Sequence, residues 1–278
     1  WLVSLPCLAG TPDEFACRRG DRQACARAGL DLIEAGRGGE VRAFVAARAP
    51  LNEGCRLKEP VACADLGWLA FYGHGGRADV DRALQLYQKA CELKLPRGCN
   101  DAGAAYFVKK DMKRAVAAFS SACAQGDGGG CRNLGTHHRE GQGVAKSASR
   151  ARELFLQGCE HDDAEACFNL AWMWARGEGG GRDVRRAVKH YQAACDGDFH
   201  AACRNLALLY IEADGIPQDY AAARRLLRQG CDADQGDACY DLAVMYESGE
   251  GASRSPARAR PLYQRACELG YADGCGHD

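Results

Sequence analysis

The sequence predicts an all-α protein built from repeated helical hairpins. Eight cysteine pairs of spacing Cys-x7-Cys run along its 278 residues. From Cys55 onward they return every 36 residues, apart from one 32-residue step between Cys91 and Cys123. A Gly-rich turn and an Ala-x3-aromatic-x3-Cys segment recur in the same frame. A fixed internal period of this size marks a stack of two-helix units, each touching only its neighbours.

The elements follow in chain order. Residues 1–10 read as an N-terminal extension, and 11–278 as a single array of about seven hairpins, incomplete at both ends. Thr11 before Pro12 is an N-cap with proline at the first helical position, so residues 11–19 read as a lone second helix. The unit from Cys195 to Gln229 shows the full plan. Ala201 to Tyr210 open a first helix (A), Asp214-Gly-Ile-Pro217 is a turn, and Asp219 caps a second helix (B) that runs to Cys231. Turns of the same kind stand at Gly73–Gly76, Gly141–Gly143, Gly177–Gly181 and Gly249–Gly251. The B helices share Ala83/Tyr87/Cys91, Ala115/Phe119/Cys123, Ala151/Phe155/Cys159, Ala187/Tyr191/Cys195 and Ala259/Tyr263/Cys267. One unit lacks the Gly turn at Phe107–Met112, and its missing four residues predict a tightened hairpin. After Cys275 there is room only for the start of an A helix. An uncapped apolar end is expected there, from a shortened chain or one covered by a partner.

Composition narrows the function classes. Lys and Arg number 36 against 37 Asp and Glu, so nothing in the charge favours nucleic acid or an anionic membrane surface. No apolar run approaches the ~18 residues of a spanning helix, and the chain reads as soluble. It starts at Trp1, as a mature or shortened form would. Trp1 to Cys7 reads as the remnant of an export signal, although Pro6 breaks a lipoprotein box.

The cysteines carry the strongest physical argument. Counting 100° per residue from the second cysteine of a pair, offsets +3, +4 and +7 fall on its own side of helix A, so that cysteine shares the core-facing stripe. The first cysteine ends the preceding B helix. A turn between them can bring two thiols to the roughly 5.5–6 Å Cα separation of a disulfide. The expected bridges are Cys17/Cys25, Cys55/Cys63, Cys91/Cys99, Cys123/Cys131, Cys159/Cys167, Cys195/Cys203, Cys231/Cys239 and Cys267/Cys275. Each closes a loop short enough to contribute about 2.5 kcal/mol in the chain-entropy model. The alternatives are buried free thiols, which 17 cysteines make hard to keep reduced, and zinc, for which each unit offers only two sulfurs. A redox relay would need Cys-x-x-Cys, which is absent. Bridges on this scale place the chain in an oxidising compartment, periplasmic or secreted. Cys7 is left over: free, joined to another chain, or a processing remnant.

No Ser-x-x-Lys, Gly-x-Ser-x-Gly, His-Glu-x-x-His or Walker loop is present. The Gly-x-Gly segments lie between helices and read as turns. His137 and His138 are adjacent and face different sides of a helix, so they cannot chelate together. No catalytic residue, metal site or cofactor is expected.

The run Asn-Leu-Gly/Ala in helix A (Asn133-Leu-Gly135, Asn169-Leu-Ala171, Asn205-Leu-Ala207), the Gly-x-Gly turn and Ala-x3-Tyr in helix B resemble the Sel1-like repeat, a relative of the tetratricopeptide repeat. The added Cys-x7-Cys is similar to the cysteine-rich branch first recognised in Helicobacter. The resemblance covers all but about the first ten residues, with six full units in register. It implies a right-handed superhelical α-solenoid, a bacterial source, and a concave groove for peptides. In tetratricopeptide relatives that groove is lined by helix A offsets +1, +5 and +8. Here those positions, with the Asn/Asp row at +2, select Trp68, Phe71, Arg132, Asn133, Arg139, Phe168, Asn169, Trp172, Arg204, Asn205 and Tyr240 as candidate partner-binding residues. The same stripe can instead pack against the next repeat, and the +2 row can instead tie neighbouring helices together. Aromatics beside arginines are the usual composition of interaction hot spots.

The expected function is a non-catalytic exported scaffold or adaptor for a protein or peptide. Contact through Cys7 or the C-terminal end is an added possibility for partners. The resemblance also implies an enzyme alternative, penicillin binding with weak β-lactamase activity, for which no residue supplies an activated nucleophile. A third reading is a reduced cytosolic assembly factor or an immunity protein.

Overall fold

The computed structural model describes residues 11–277. Among the described residues are fifteen α-helices, one 3-10 turn and no strand. They form two compact units, residues 11–137 with Gly141–Ala145, and His138–Glu140 with residues 146–277. Cys7 and the export-signal segment lie outside the described residues.

The first unit holds α1 (Pro12–Arg18), then the hairpins α2 (Arg22–Arg37) with α3 (Val41–Arg56), α4 (Pro60–Tyr72) with α5 (Val80–Glu92), and α6 (Pro96–Val108) with α7 (Met112–Ala124). It ends within α8 (Gly128–Glu140). The second unit starts from α9 (Ala148–Glu160) and stacks α10 (Ala164–Arg176) with α11 (Val184–Asp196), α12 (His200–Glu212) with α13 (Tyr220–Asp232), and α14 (Gly236–Ser248) with α15 (Pro256–Glu268). A 3-10 turn, Ala272–Gly274, follows.

Local chemistry fixes where helices start and stop. Thr11 caps α1 in a full capping box with Glu14. The carboxylates of Asp79, Asp111, Asp183 and Asp219 accept the N–H groups of Arg82, Arg114, Arg186 and Ala222 at 2.8–3.1 Å, and Ser147 does the same for Arg150. Each such cap stabilises its B helix by about 1 kcal/mol. Helices α4, α8, α10 and α14 end on a left-handed glycine, at Gly73, Gly141, Gly177 and Gly249. In α12 Ala213 takes that place, at φ 56°. The short repeat is tight as expected, with only Lys109–Asp111 between α6 and α7.

The first hairpin departs from the frame. Helices α2 and α3 have 16 residues each where the later ones have 13, and α3 carries Pro50 in its interior.

Packing repeats with the sequence. The paired Ala and aromatic of the B helices, from Ala83 and Tyr87 to Ala259 and Tyr263, are at most 3% exposed. In the first unit a Cβ at Gly67 would stand 2.7 Å from the Tyr87 ring, and one at Gly103 would stand 2.5 Å from Phe119. In these two hairpins the ring of the B helix therefore packs directly against the bare backbone of its A helix. A buried aromatic there stabilises the hairpin by about 1.5–3 kcal/mol.

All eight predicted disulfides are formed: Cys17–Cys25, Cys55–Cys63, Cys91–Cys99, Cys123–Cys131, Cys159–Cys167, Cys195–Cys203, Cys231–Cys239 and Cys267–Cys275, with Cα–Cα distances of 4.4–4.9 Å. That corrects the wider separation expected from the sequence. The reason is a left-handed residue three positions after each first cysteine: Gly20, Lys58, Lys94, Gly126, Asp162, Asp198, Asp234 and Gly270. It folds the chain sharply back, so the last turn of B meets the first turn of A.

The two sulfurs of a bridge have different surroundings. The second cysteines Cys25, Cys63, Cys99, Cys131, Cys167, Cys203 and Cys239 are at most 4% exposed. These seven therefore occupy the core-facing stripe expected from their helical angles. Each lies in the opening turn of an A helix, on the stripe that packs into the hairpin, so its sulfur is bridged and buried at once. Their partners, at the ends of the B helices, are less uniform: Cys17, Cys55, Cys195 and Cys231 are buried, whereas Cys91, Cys123 and Cys159 are half-buried. In the last pair Cys267 is half-buried and Cys275, beyond the 3-10 turn, is exposed. No described helix is long and apolar enough to cross a membrane.

Candidate interaction surface

The candidate surface is built from the A helices, whose N-terminal turns are fixed by the disulfides. All eleven residues selected from the sequence are partly buried, neither core nor fully exposed.

In the first unit Trp68 stands in an aromatic cluster with Phe44 of α3 at 6.1 Å, Tyr72 at 5.6 Å and His74 at 4.6 Å, with Arg37 over its ring at 4.7 Å. Phe71 touches Tyr72 at 5.0 Å and reaches the buried Tyr87 at 6.4 Å. Asn133 donates from Nδ2 to Asn100 Oδ1 at 2.8 Å, tying α8 to α6. Arg132 is adjacent on the same helix and is also engaged. His137 is buried, donating from Nδ1 to the Gln142 carbonyl at 2.8 Å between Phe107 and Phe119, which is a structural role.

In the second unit Trp172 carries two guanidiniums against its ring, Arg139 at 5.6 Å and Arg176 at 4.9 Å. Phe168 is enclosed by Tyr191 at 5.7 Å and Phe199 at 4.9 Å. Asn205 hydrogen-bonds Tyr191, whose hydroxyl burial pushes up to about 12. Asn169 follows Phe168 on α10. Tyr240 packs on Tyr263, Tyr271 and His277 at 5.3–6.0 Å. Arg204 is held by Asp241 at 2.5 Å and Asp237 at 3.4 Å. Burial penalises both charges, but Asp241 keeps the Arg204 guanidinium protonated beyond its usual range.

Three of these contacts share a pattern. Offset +1 of one A helix meets offset +2 of the next: Asn100 with Asn133, Arg204 with Asp241, and Tyr240 with His277. Those rows tie neighbouring repeats. What stays open to solvent lies at the +5 and +8 offsets and at helix ends, where Phe107 is 45%, Val244 36% and Tyr72 60% exposed. Tyr72, at offset +9, lies about a quarter of a turn off the chosen stripe, so helical angles did not select it.

The Sel1 repeat model matches residues 60–95, 99–127, 129–163, 164–199, 200–235 and 236–271, most of the chain. The chain belongs to the Sel1 repeat family. Its fold is similar to that of a protective antigen of uropathogenic Escherichia coli displaying an SLR fold, with a TM-score of 0.78 at 24% identity, over 94% of this chain and 56% of the antigen. Helicobacter pylori cysteine rich protein B is 30% identical and covers 45% of this chain and 93% of its own, with a TM-score of 0.40. A Xenopus laevis cytochrome c oxidase assembly factor 7A is 32% identical over 93 residues, 31% of this chain and 40% of that protein. The chain thus spans less than two thirds of the antigen and of the assembly factor. Sel1 repeats, like tetratricopeptide repeats, are scaffolds suited to protein–protein interaction. The eight bridges of this Sel1 array suggest an oxidising compartment.

Proposed function

We propose that the protein is a non-catalytic adaptor, exported to the periplasm or secreted, that holds a protein or peptide against the A-helix face of its Sel1 repeats. The observation that carries this reading is Trp172, half-buried with Arg139 and Arg176 against its ring. An indole held in place by cations presents a rigid apolar edge and nearby donors at little further cost in conformational entropy. Disulfide staples pre-organise the helices that carry it, which favours binding in the same way.

Arg204 belongs to an inter-repeat tie, so it is a stability control and not a binding probe. The test is affinity capture from the native source, followed by titration of the captured partner against Trp172→Ala and Arg139→Gln. Loss of at least about 2 kcal/mol, roughly 30-fold, is expected for the tryptophan with little change in melting temperature. Unchanged affinity in both variants would remove the A-helix face as the binding surface. The likeness to an oxidase assembly factor favours a second reading within the same class, an adaptor in respiratory-enzyme assembly. A captured partner that is a respiratory-enzyme subunit selects that reading.

A further inference from the structure

Two furrows on the B-helix side of the second unit set an aromatic ring of an A helix among arginines of consecutive B helices. In the first, Trp174 of α10 lies against two guanidiniums, Arg152 of α9 at 3.9 Å and Arg186 of α11 at 4.5 Å. Arg152 is 8% exposed and takes part in no ion pair among the described residues. Burial and the neighbouring charge of Arg186 both pull its pKa down. Lys189 and His190 complete the wall of a cavity of about 440 Å³. Its one lining carboxylate, Glu153, is already paired with Arg150 at 2.7 Å. A buried, unpaired guanidinium beside a second cation is unfavourable, and a ring contact offsets only about 1–2 kcal/mol of that. Such a group fits a site that receives an anion from outside.

The constellation returns 72 residues later, where Arg224, Tyr246 and Arg258 occupy the frame positions of Arg152, Trp174 and Arg186. Arg258 lies 5.6 Å from the Tyr246 ring, Arg228 donates to the Tyr246 hydroxyl at 2.7 Å, and Arg224 donates to the Gly251 carbonyl instead of stacking on the ring. With Arg225 they line a cavity of about 680 Å³ whose only carboxylate is Asp232. In the repeat between, the same positions hold Val188, Tyr210 and Ala222. The arginines are therefore not a by-product of the repeat pattern.

We propose that both furrows bind polyanionic oxyanion ligands of the phosphate or polycarboxylate class. The ring faces hold the guanidiniums of Arg152, Arg186 and Arg258, the Tyr246 hydroxyl and the Gly251 carbonyl hold those of Arg228 and Arg224, and the remaining N–H groups meet the ligand oxygens. This site is separate from the A-helix face and stands or falls independently of it.

The experiment is calorimetric titration of the whole chain with inorganic pyrophosphate and, separately, with citrate, at constant ionic strength with sodium chloride as the reference. Two binding events per chain are expected. Lys189→Gln should weaken one about tenfold and Arg225→Gln the other, as removal of one charged hydrogen bond does. Lys189→Arg should restore the first. Both substituted residues are exposed, so folding is not at stake. Binding of pyrophosphate alone assigns a phosphate ligand, and binding of both probes assigns charge as the determinant. Heats equal to those of sodium chloride, or events untouched by either variant, would overturn the proposal.

Discussion

Asp101 gives the sharpest quantitative test of the electrostatics between repeats. It lies on α6, where Arg97 is shared between two carboxylates: Asp65 of α4 at 2.5 Å and Asp101 at 3.8 Å. Asp65 holds the better geometry. Burial therefore dominates at Asp101, with Arg97 opposing it and Asp127 and Asp65 adding repulsion, and the carboxyl is pushed up to about 6 from 3.8. An acid raised in the folded state binds its proton more tightly there than in the unfolded chain. Between pH 3.8 and about 6 the unfolded state ionises first, so stability falls as pH rises through that window and stays lower above it. At 1.36 kcal/mol per pH unit the gap is about 3 kcal/mol. Because 31% of the side chain is exposed, solvent screening reduces this to about 1–2 kcal/mol. Asp101→Asn removes the titration while keeping the shape. The assay is the difference in melting temperature between variant and wild type at pH 4, 5, 6 and 7 with disulfides intact, which cancels every other carboxylate. The difference should be near zero at pH 4 and reach about 2–6 °C in favour of the variant at pH 7. A difference independent of pH would refute the reasoning.

Two further outcomes follow from backbone and sulfur chemistry. Ala213 holds the left-handed position that glycine fills in four other A helices, so Ala213→Gly should stabilise by about 0.5–1 kcal/mol in thermal melts, whereas Gly177→Ala should cost at least as much. Alkylation of the unfolded, unreduced chain should leave the sixteen cysteines from Cys17 to Cys275 unlabelled in the intact mass, and reduction should lower the melting temperature through the loss of bridges worth up to about 2.5 kcal/mol each. Sixteen adducts before reduction would remove the oxidising-compartment reading.

The hairpin frame was legible because it repeats: a cap such as Asp219, a ring such as Tyr191 and a cysteine such as Cys195 recur at fixed offsets, and each rests on interactions within one hairpin or across the short turn to the next. What the sequence did not show has a common physical origin. Ala213 looks like an ordinary helix residue, and only the observed φ marks it as a chain reversal. Pro50 would normally interrupt a helix, yet α3 runs through it because Phe44 and Leu51 of α3 pack against the side-chain-free surfaces of Gly36 and Gly29 on α2. These features are decided by a neighbouring element.

The same limit governs the candidate sites. Helical angles place Arg204 and Trp172 on one stripe, because angle describes a residue relative to its own helix axis. Whether a side chain is available depends on what the next repeat presents to it. Asp241 faces Arg204 and removes it from the pool of free cations, whereas Trp172, packed on the core on one side and flanked by Arg139 and Arg176, meets no ion-pairing partner and stays half-buried. Trp174 and Arg152 invert the case. Offset +7 assigns Trp174 to the core, but the arginines of two consecutive B helices converge on it and turn a packing position into a charged furrow. In a stack whose units differ mainly by substitution, a binding site is therefore written as a correlation between positions in neighbouring repeats. Arg152 with Arg186 and Arg224 with Arg258, both 34 residues apart, are such pairs, and they mark the second unit as the part of this chain where the frame has been adapted to hold an anion.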